Sequence, residues 1–224
     1  MKKLGLLFVL LVLMVSCKLS ESEAIPDGNN FYFENPQPIN DSELSSIPNK
    51  FKGIYMSEDS LFLNITNNMI FSEREYKFRF HKNQLDSLKE YFDVVDGKYI
   101  SKDKKEIFNS KKVGDSIEFA SKNIDTIFQL SDMQKAKRIN GFLVLNQKDS
   151  IYWKVKLISL NKNTLAIKQL YSEDDLKRMD SITKIHSKML DSKSFVISPK
   201  RSEFKEFFKL KKFGFDQEYI KVSN

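Results

Sequence analysis

The sequence predicts a mainly β chain of the α+β class: an antiparallel barrel or sandwich with two or three helices, the main ones in the C-terminal third. Three observations carry this expectation. Apolar residues recur at every second position through the middle of the chain, and short polar turn signals divide these runs. Stripes of helical period are clearest after residue 172. The 224 residues include 19 Phe and 8 Tyr, enough apolar area for one good core, while 7 Gly and 5 Pro are too few for a low-complexity chain.

The first element is a targeting segment. Lys2 and Lys3 precede an uncharged apolar run over residues 4–15, which closes at Ser16 and Cys17. As a helix those 12 residues would measure about 18 Å against a hydrocarbon core of about 30 Å, so the run is too short to span a bilayer. A basic start, a short apolar stretch and a small residue before the cut read as a secretory signal peptide over residues 1–16. Its end, Met14-Val15-Ser16-Cys17, resembles the lipobox of bacterial lipoproteins, with Met14 where that class usually carries Leu. The resemblance covers residues 1–17. It implies that Cys17 becomes the mature N-terminus, is acylated, and holds the protein to the lipid bilayer. Acylation also accounts for a single thiol in an oxidising compartment, and one Cys excludes both an intrachain disulfide and a Cys-rich metal site. At about 0.8 kcal/mol per buried methylene, several acyl chains anchor a protein without any transmembrane helix. By the same resemblance, Lys18 in place of Asp after the Cys implies the outer membrane. The run Lys18-Leu19-Ser20-Glu21-Ser22-Glu23 partly resembles the Lys-plus-acidic surface-export signals of Bacteroidota lipoproteins, although its acids are not contiguous, which leaves surface exposure open.

Residues 17–50 read as the lipidated Cys and a flexible, Pro-rich tether. Four of the five prolines, Pro26, Pro36, Pro38 and Pro48, fall here and prevent a helix or central strand from propagating. Phe31-Tyr32-Phe33 is an apolar cluster within it, expected to dock as a satellite of the core. Lys18 and Lys50 stand against Glu21, Glu23, Asp27, Glu34, Asp41 and Glu43, so the segment is acidic while the whole chain carries +7.

Residues 51–224 read as one β-rich globular domain. Tyr76, Phe78 and Phe80 alternate with charged residues, as do Ile151, Trp153, Val155 and Leu157 with Lys154 and Lys156, which are expected to face outward. Leu61, Leu63 and Ile65 form a third set; Leu165 with Ile167 and Ile117 with Phe119 form two more. Shorter β-rich pieces cover residues 51–56, 124–130 and 141–145. Turns are expected at Glu58-Asp59, Asp96-Gly97, Gly114-Asp115, Gln147-Lys148-Asp149 and Asn161-Lys162-Asn163. A weak internal repeat pairs Gly53, with Asp59-Ser60 after it, against Gly141, with Asp149-Ser150 after it. Two related strand–turn–strand units and a chance likeness between two hairpins both fit it.

The acids Glu173-Asp174-Asp175 suit the positive end of a helix, and Asp175 lies where a capping box places its acid, three residues beyond Ser172. An apolar stripe follows at Leu176, Met179, Ile182, Ile185 and Met189. A second helix starts near Pro199 and carries Phe204, Phe207 and Phe208, and a brief one fits near residues 83–91. Lipobox, Pro-rich tether and Asp-Ser hairpins together resemble the uncharacterised lipocalin-like or β-sandwich envelope lipoproteins of Bacteroidota, a likeness that implies a fold but no chemistry.

Signatures of catalysis are missing from the sequence. There is no phosphate-binding Gly loop, no Gly-x-Ser-x-Gly elbow and no His-Glu-x-x-His helix. His81 falls on the outward face of a strand and His186 near the end of a helix, and neither is assigned a catalytic role. Asp93-Val94-Val95-Asp96-Gly97 matches a calcium loop poorly and reads as a hairpin turn. The runs Lys102-Asp103-Lys104-Lys105, Lys111-Lys112 and Lys209-Leu210-Lys211-Lys212 are solvated faces or sites for acidic lipid or glycan; export argues against nucleic acid. Trp153 lines a cavity if the barrel is open inside and packs if it is filled. The expected catalytic, cofactor-binding and metal sets are therefore empty, with lipidation of Cys17 the sole site. The expected role is a non-catalytic module that binds an envelope protein, with a lipocalin-like binder of a small apolar ligand as the alternative.

Overall fold

The structure, a computed structural model, describes residues 28–96, 98–103, 106–182, 187–209 and 214–223. These residues form mostly strand. In chain order they run β1 (Asn30–Phe33), β2 (Gly53–Met56), β3 (Phe62–Ile65), β4 (Met69–His81), β5 (Phe92–Val95), β6 (Lys98–Ser101), β7 (Ile107–Val113), β8 (Ser116–Gln129), β9 (Gln134–Ile139), β10 (Phe142–Asp149), β11 (Tyr152–Asn161), β12 (Thr164–Gln169), β13 (Lys188–Asp191), β14 (Ser194–Ile197) and β15 (Phe215–Ser223). Three short helices join them: α1 (Leu85–Leu88), α2 (Glu173–Ile182) and α3 (Arg201–Glu206). The fold is thus mainly β, as the alternation predicts.

All the strands belong to one extended sheet, ordered β13-β14-β1-β11-β12-β15-β2-β3-β4-β8-β7-β6-β5, with the β9–β10 hairpin added to β11. The sheet does not close, so the architecture is that of a sandwich or an open, lipocalin-like barrel. Tight hairpins set its register. Ile139 pairs with Phe142 across Asn140 (φ 48°) and Gly141 (φ 85°), the two left-handed positions that an Asn-Gly hairpin turn needs. The repeat noticed in the sequence has a structural counterpart. Both the β2–β3 and β10–β11 hairpins turn at an Asp-Ser pair whose Ser is left-handed, Ser60 (φ 63°) and Ser150 (φ 57°).

Three cores result. One fills the concave side of the curled sheet around Tyr55, Leu63, Phe128, Leu143, Ile158 and Leu165. A second lies on the other face of β10 and β11, where Phe33, Val144, Trp153 and Leu157 meet Leu176 and Met179 of α2 and Phe204 of α3. β10 over Leu143–Asn146 and β11 over Leu157 and Ile158 are therefore covered on both faces. The third core belongs to an arm in which β5, β6 and β7 fold against the long strands β4 and β8. There Phe78 stacks on Phe119 at 5.4 Å, with Phe108 edge-on at 5.3 Å, an arrangement aromatic quadrupoles favour.

The helix caps follow the sequence pattern. Ser172 Oγ accepts the Asp175 amide at 3.3 Å, and Asp175 Oδ2 accepts the Ser172 amide at 3.0 Å, which closes the capping box. Asp175 is nearly fully buried, because its carboxylate also accepts the amides of Tyr171 (3.0 Å) and Gly214 (2.9 Å).

Several expectations need correction. Residues 28–50 are not a tether: Phe31 and Phe33 are buried in β1, which pairs in parallel with β14 and antiparallel with β11. The prolines do keep residues 34–48 free of strands, yet Ile47 is fully buried there and side chains fasten the segment down. Asn146, also fully buried, accepts the Gln37 amide at 2.5 Å and donates to the Gln37 carbonyl at 2.8 Å. Buried Lys137 donates to the carbonyls of Pro36 (3.1 Å) and Pro38 (2.9 Å). Gln147-Lys148-Asp149 stays in β10, so the turn falls one step later and leaves Ile151 71% exposed. Met189 leaves the helical stripe for the exposed strand β13. Ile185 lies outside the described residues.

Candidate functional site

The site is built by a fork in the sheet. β10 runs along one edge of β11 from Tyr152 to Ile158. The opposite edge is shared: β12 pairs with it from Leu157 to Asn161, and β1 meets it only at Trp153. Between the two branches, Lys154, Val155 and Lys156 flank a cavity of about 380 Å³, within the range of small-molecule sites. Its walls include the chain entering β1 at Gly28–Asn30, the end of β12 at Gln169 and Leu170, and Ile127, Phe128 and Leu145 from the concave core. Gly28 is required at this rim. A Cβ there would lie 2.3 Å from the Tyr171 ring and 2.9 Å from the Tyr171 carbonyl oxygen.

Among the described residues two charged side chains line the cavity, Lys154 and Lys156, and no carboxylate does. They follow each other on one face of β11, the face that continues into the buried Ile158; Lys154 is exposed, as expected, whereas Lys156 is half-buried, and for Lys156 the expectation fails for a physical reason. Period two assumes one dry face and one wet face, whereas β11 beyond Lys154 is covered on both. The two lysines differ in their partners. Lys154 Nζ sits 2.8 Å from Asp149 and 5.4 Å from the centre of the Tyr32 ring. Burial works against its ammonium, but the bond to Asp149 and the nearby Tyr32 oxygen outweigh this and hold its pKa above the ordinary lysine value. Lys156 is half-buried and has no hydrogen bond or ion pair among the described residues. Burial, and then the charge of Lys154, push its pKa below the ordinary value.

A cationic group in a pocket with Phe128, Leu145 and Leu170 on its walls can hold an anion whose remainder is apolar. Among the described residues the lining adds no carboxylate, histidine, cysteine or hydroxyl side chain to the two lysines. No family model, curated protein or solved structure matches this chain. The reading of the site therefore rests on its own geometry.

The residues singled out from sequence lie elsewhere. Trp153 is on the opposite face of β11, 7% exposed, with the ammonium groups of Lys135 and Lys148 at 5.8 and 5.9 Å from its ring centre; it packs and does not line the cavity. His81 is exposed at the end of β4, its Nδ1 2.8 Å from Asn83 Oδ1. Asp175 is a helix cap, and Asp174 pairs with Lys177 at 3.3 Å. Among the described residues no group of His, Cys, Asp and Glu is placed to hold a metal ion. Lys102 donates to the Lys89 carbonyl at 2.7 Å, and Lys111 and Lys112 are exposed. Cys17, His186, Lys104, Lys105 and residues 210–213 lie outside the described residues. Sequence reading missed Lys156, and one signal could have found it. The strand Ile151–Leu157 continues through Ile158, Ser159 and Leu160, too apolar on its second face for that face to be wet.

Proposed function

We propose that the protein is a lipid-anchored, non-catalytic envelope lipoprotein, held at the outer membrane through acylated Cys17, whose β domain binds a small amphipathic ligand in the cavity at the fork of β1, β11 and β12. The observation that carries the reading is that cavity: a space walled in part by Phe128, Leu145 and Leu170, with a half-buried lysine in it that has no partner among the described residues. A filled core has no reason to keep such a group, since an ammonium withdrawn from water without a partner costs free energy. The lipobox-like end of the leader supports the anchor, and the chain enters the domain at the cavity rim, 11 residues after Cys17. At an extended span of at most about 3.6 Å per residue, that connection keeps the rim within roughly 40 Å of the bilayer. Native mass spectrometry of protein purified from its own host tests the binding reading. Bound small molecule, lost in a Leu145→Trp variant that fills the cavity, is the expected result; clean apoprotein in both would refute it.

A second reading, a protein-interaction module, is favoured by the arm. β5 ends the sheet, its outer edge has no partner strand among the described residues, and Val94 (56% exposed) and Val95 (51%) lie on it. An unprotected edge of this kind accepts an added strand. Under this reading, a Val94→Lys/Val95→Lys variant loses a partner that the wild type retains in crosslinked envelopes; identical crosslinks in both would discard it.

A further inference from the structure

We infer that Lys156 is the headgroup anchor of the cavity, and that its ligand is a singly charged anionic amphiphile of the alkyl carboxylate class. The inference rests on the cavity-binding reading above and adds the charge and shape of the ligand. The cavity wall leaves one candidate for that anchor. Lys154 is already paired with Asp149 at 2.8 Å and lies over Tyr32, so its charge is engaged at the surface. The other lining side chains are uncharged. What remains is one ammonium, Lys156, opposite Leu145 on β10 and projecting from the face that runs on into the concave core. One cation with no compensating carboxylate among the described residues selects a single negative charge. A dianion such as a phosphate monoester would leave its second charge unpaired in a partly desolvated site.

The remaining surface describes the rest of the ligand. Phe128, Ile127, Leu145 and Leu170 present apolar wall, and a flexible alkyl chain meets it without needing directed hydrogen bonds. Gln147, opposite Lys154, and Gln169 also line the cavity and offer amide donors to headgroup oxygens. Neutral amphiphiles fit the same walls but leave Lys156 as costly as it is in the empty site. The anionic headgroup therefore gains where the neutral one does not.

The test is calorimetric titration of the refolded or native full domain with decanoate, decanol and decylamine. Wild type should bind decanoate at least about tenfold more tightly than decanol, the scale of a hydrogen bond to a charged group, and should not bind decylamine. Lys156→Met should lose that tenfold for decanoate and leave decanol unchanged, whereas Lys156→Arg should retain decanoate. Equal binding of decanoate and decanol by wild type, unaltered in Lys156→Met, would overturn the anchor while leaving the cavity reading in place. No binding of any probe, with Leu145→Trp behaving as wild type, would bring down the cavity reading and the anchor with it. Should Lys156→Met fail to fold, Lys156→Gln and the decanoate-to-decanol ratio of the wild type decide the same question.

Discussion

Replacing Lys156 by Met should make the empty domain more stable, the reverse of the usual outcome for a substitution at a half-buried position. Met keeps the length of the lysine stem and exchanges the ammonium for apolar atoms that the Phe128 and Leu145 walls can cover. Covering about one methylene more is worth roughly 0.8 kcal/mol. Relief from Lys154 adds to it, and residual solvent access at Lys156 subtracts, so the expected gain is about 1 kcal/mol at neutral pH. For a domain of this size that is a rise in melting temperature of about 2–4 °C. The pH dependence sharpens the test. Because the folded-state pKa of Lys156 lies below its unfolded value, the unfolded chain binds more protons between the two. Wild-type stability therefore rises with pH through that window, and the advantage of Lys156→Met shrinks towards the ordinary lysine pKa of 10.5. Lys154, the other titratable group lining the cavity, has its pKa held above the ordinary lysine value and so stays charged through this window in both proteins. Urea unfolding followed by circular dichroism at pH 7, 9 and 10.5 gives the comparison. A variant less stable than wild type, or a difference that does not move with pH, would refute the claim that Lys156 is desolvated and unpartnered.

Three further outcomes follow from the same geometry. Lys137→Met should cost about 2–3 kcal/mol in chemical denaturation, since it strips the buried carbonyls of Pro36 and Pro38 of their donor, and should expose residues 34–47 to limited proteolysis. Asp175→Ala removes the acceptor of the Tyr171 and Ser172 amides at the start of α2 and of the Gly214 amide before β15, and should lower stability by about 2 kcal/mol, with Asp175→Asn recovering part of it, as urea midpoints would record. Cys17→Ser should abolish incorporation of labelled fatty acid in vivo and leave unprocessed or soluble protein; label retained at the wild-type level would end the lipoprotein reading.

Strands were legible wherever one side of the sheet is wet. In β4 the alternation of Tyr76, Phe78 and Phe80 with charges marks a strand that packs on one face only, and the capping box at Ser172 and Asp175 is local chemistry that tertiary context does not alter. The misreadings share a different cause. In the buried run Leu143-Val144-Leu145-Asn146 and in β11 beyond Lys154, both faces are covered, so the period-two rule places the exposed Lys154 correctly but assigns Lys156 to a solvent that only half reaches it. β1 was hidden because its partners, β11 and β14, lie more than a hundred residues away, and nearby prolines speak more loudly than four residues of strand. The cavity could not be read at all from local pattern, because it comes from the choice of two strands to share one edge of a third.

That shared edge also fixes how the domain would carry a mechanical load. In the anchored protein proposed above, any pull from the membrane arrives first at Asn29 and Asn30, whose amides are tied to the Tyr171 carbonyl at 2.9 Å and the Lys193 carbonyl at 2.7 Å. Tension directed along β1 is shared across its parallel ladder with β14, in which Asn30 through Phe33 face Ser194 through Ile197, so the bonds resist together rather than one after another. The first strand to feel the tether is also a wall of the binding space, so traction on the anchor and the width of the fork are coupled through the same four residues.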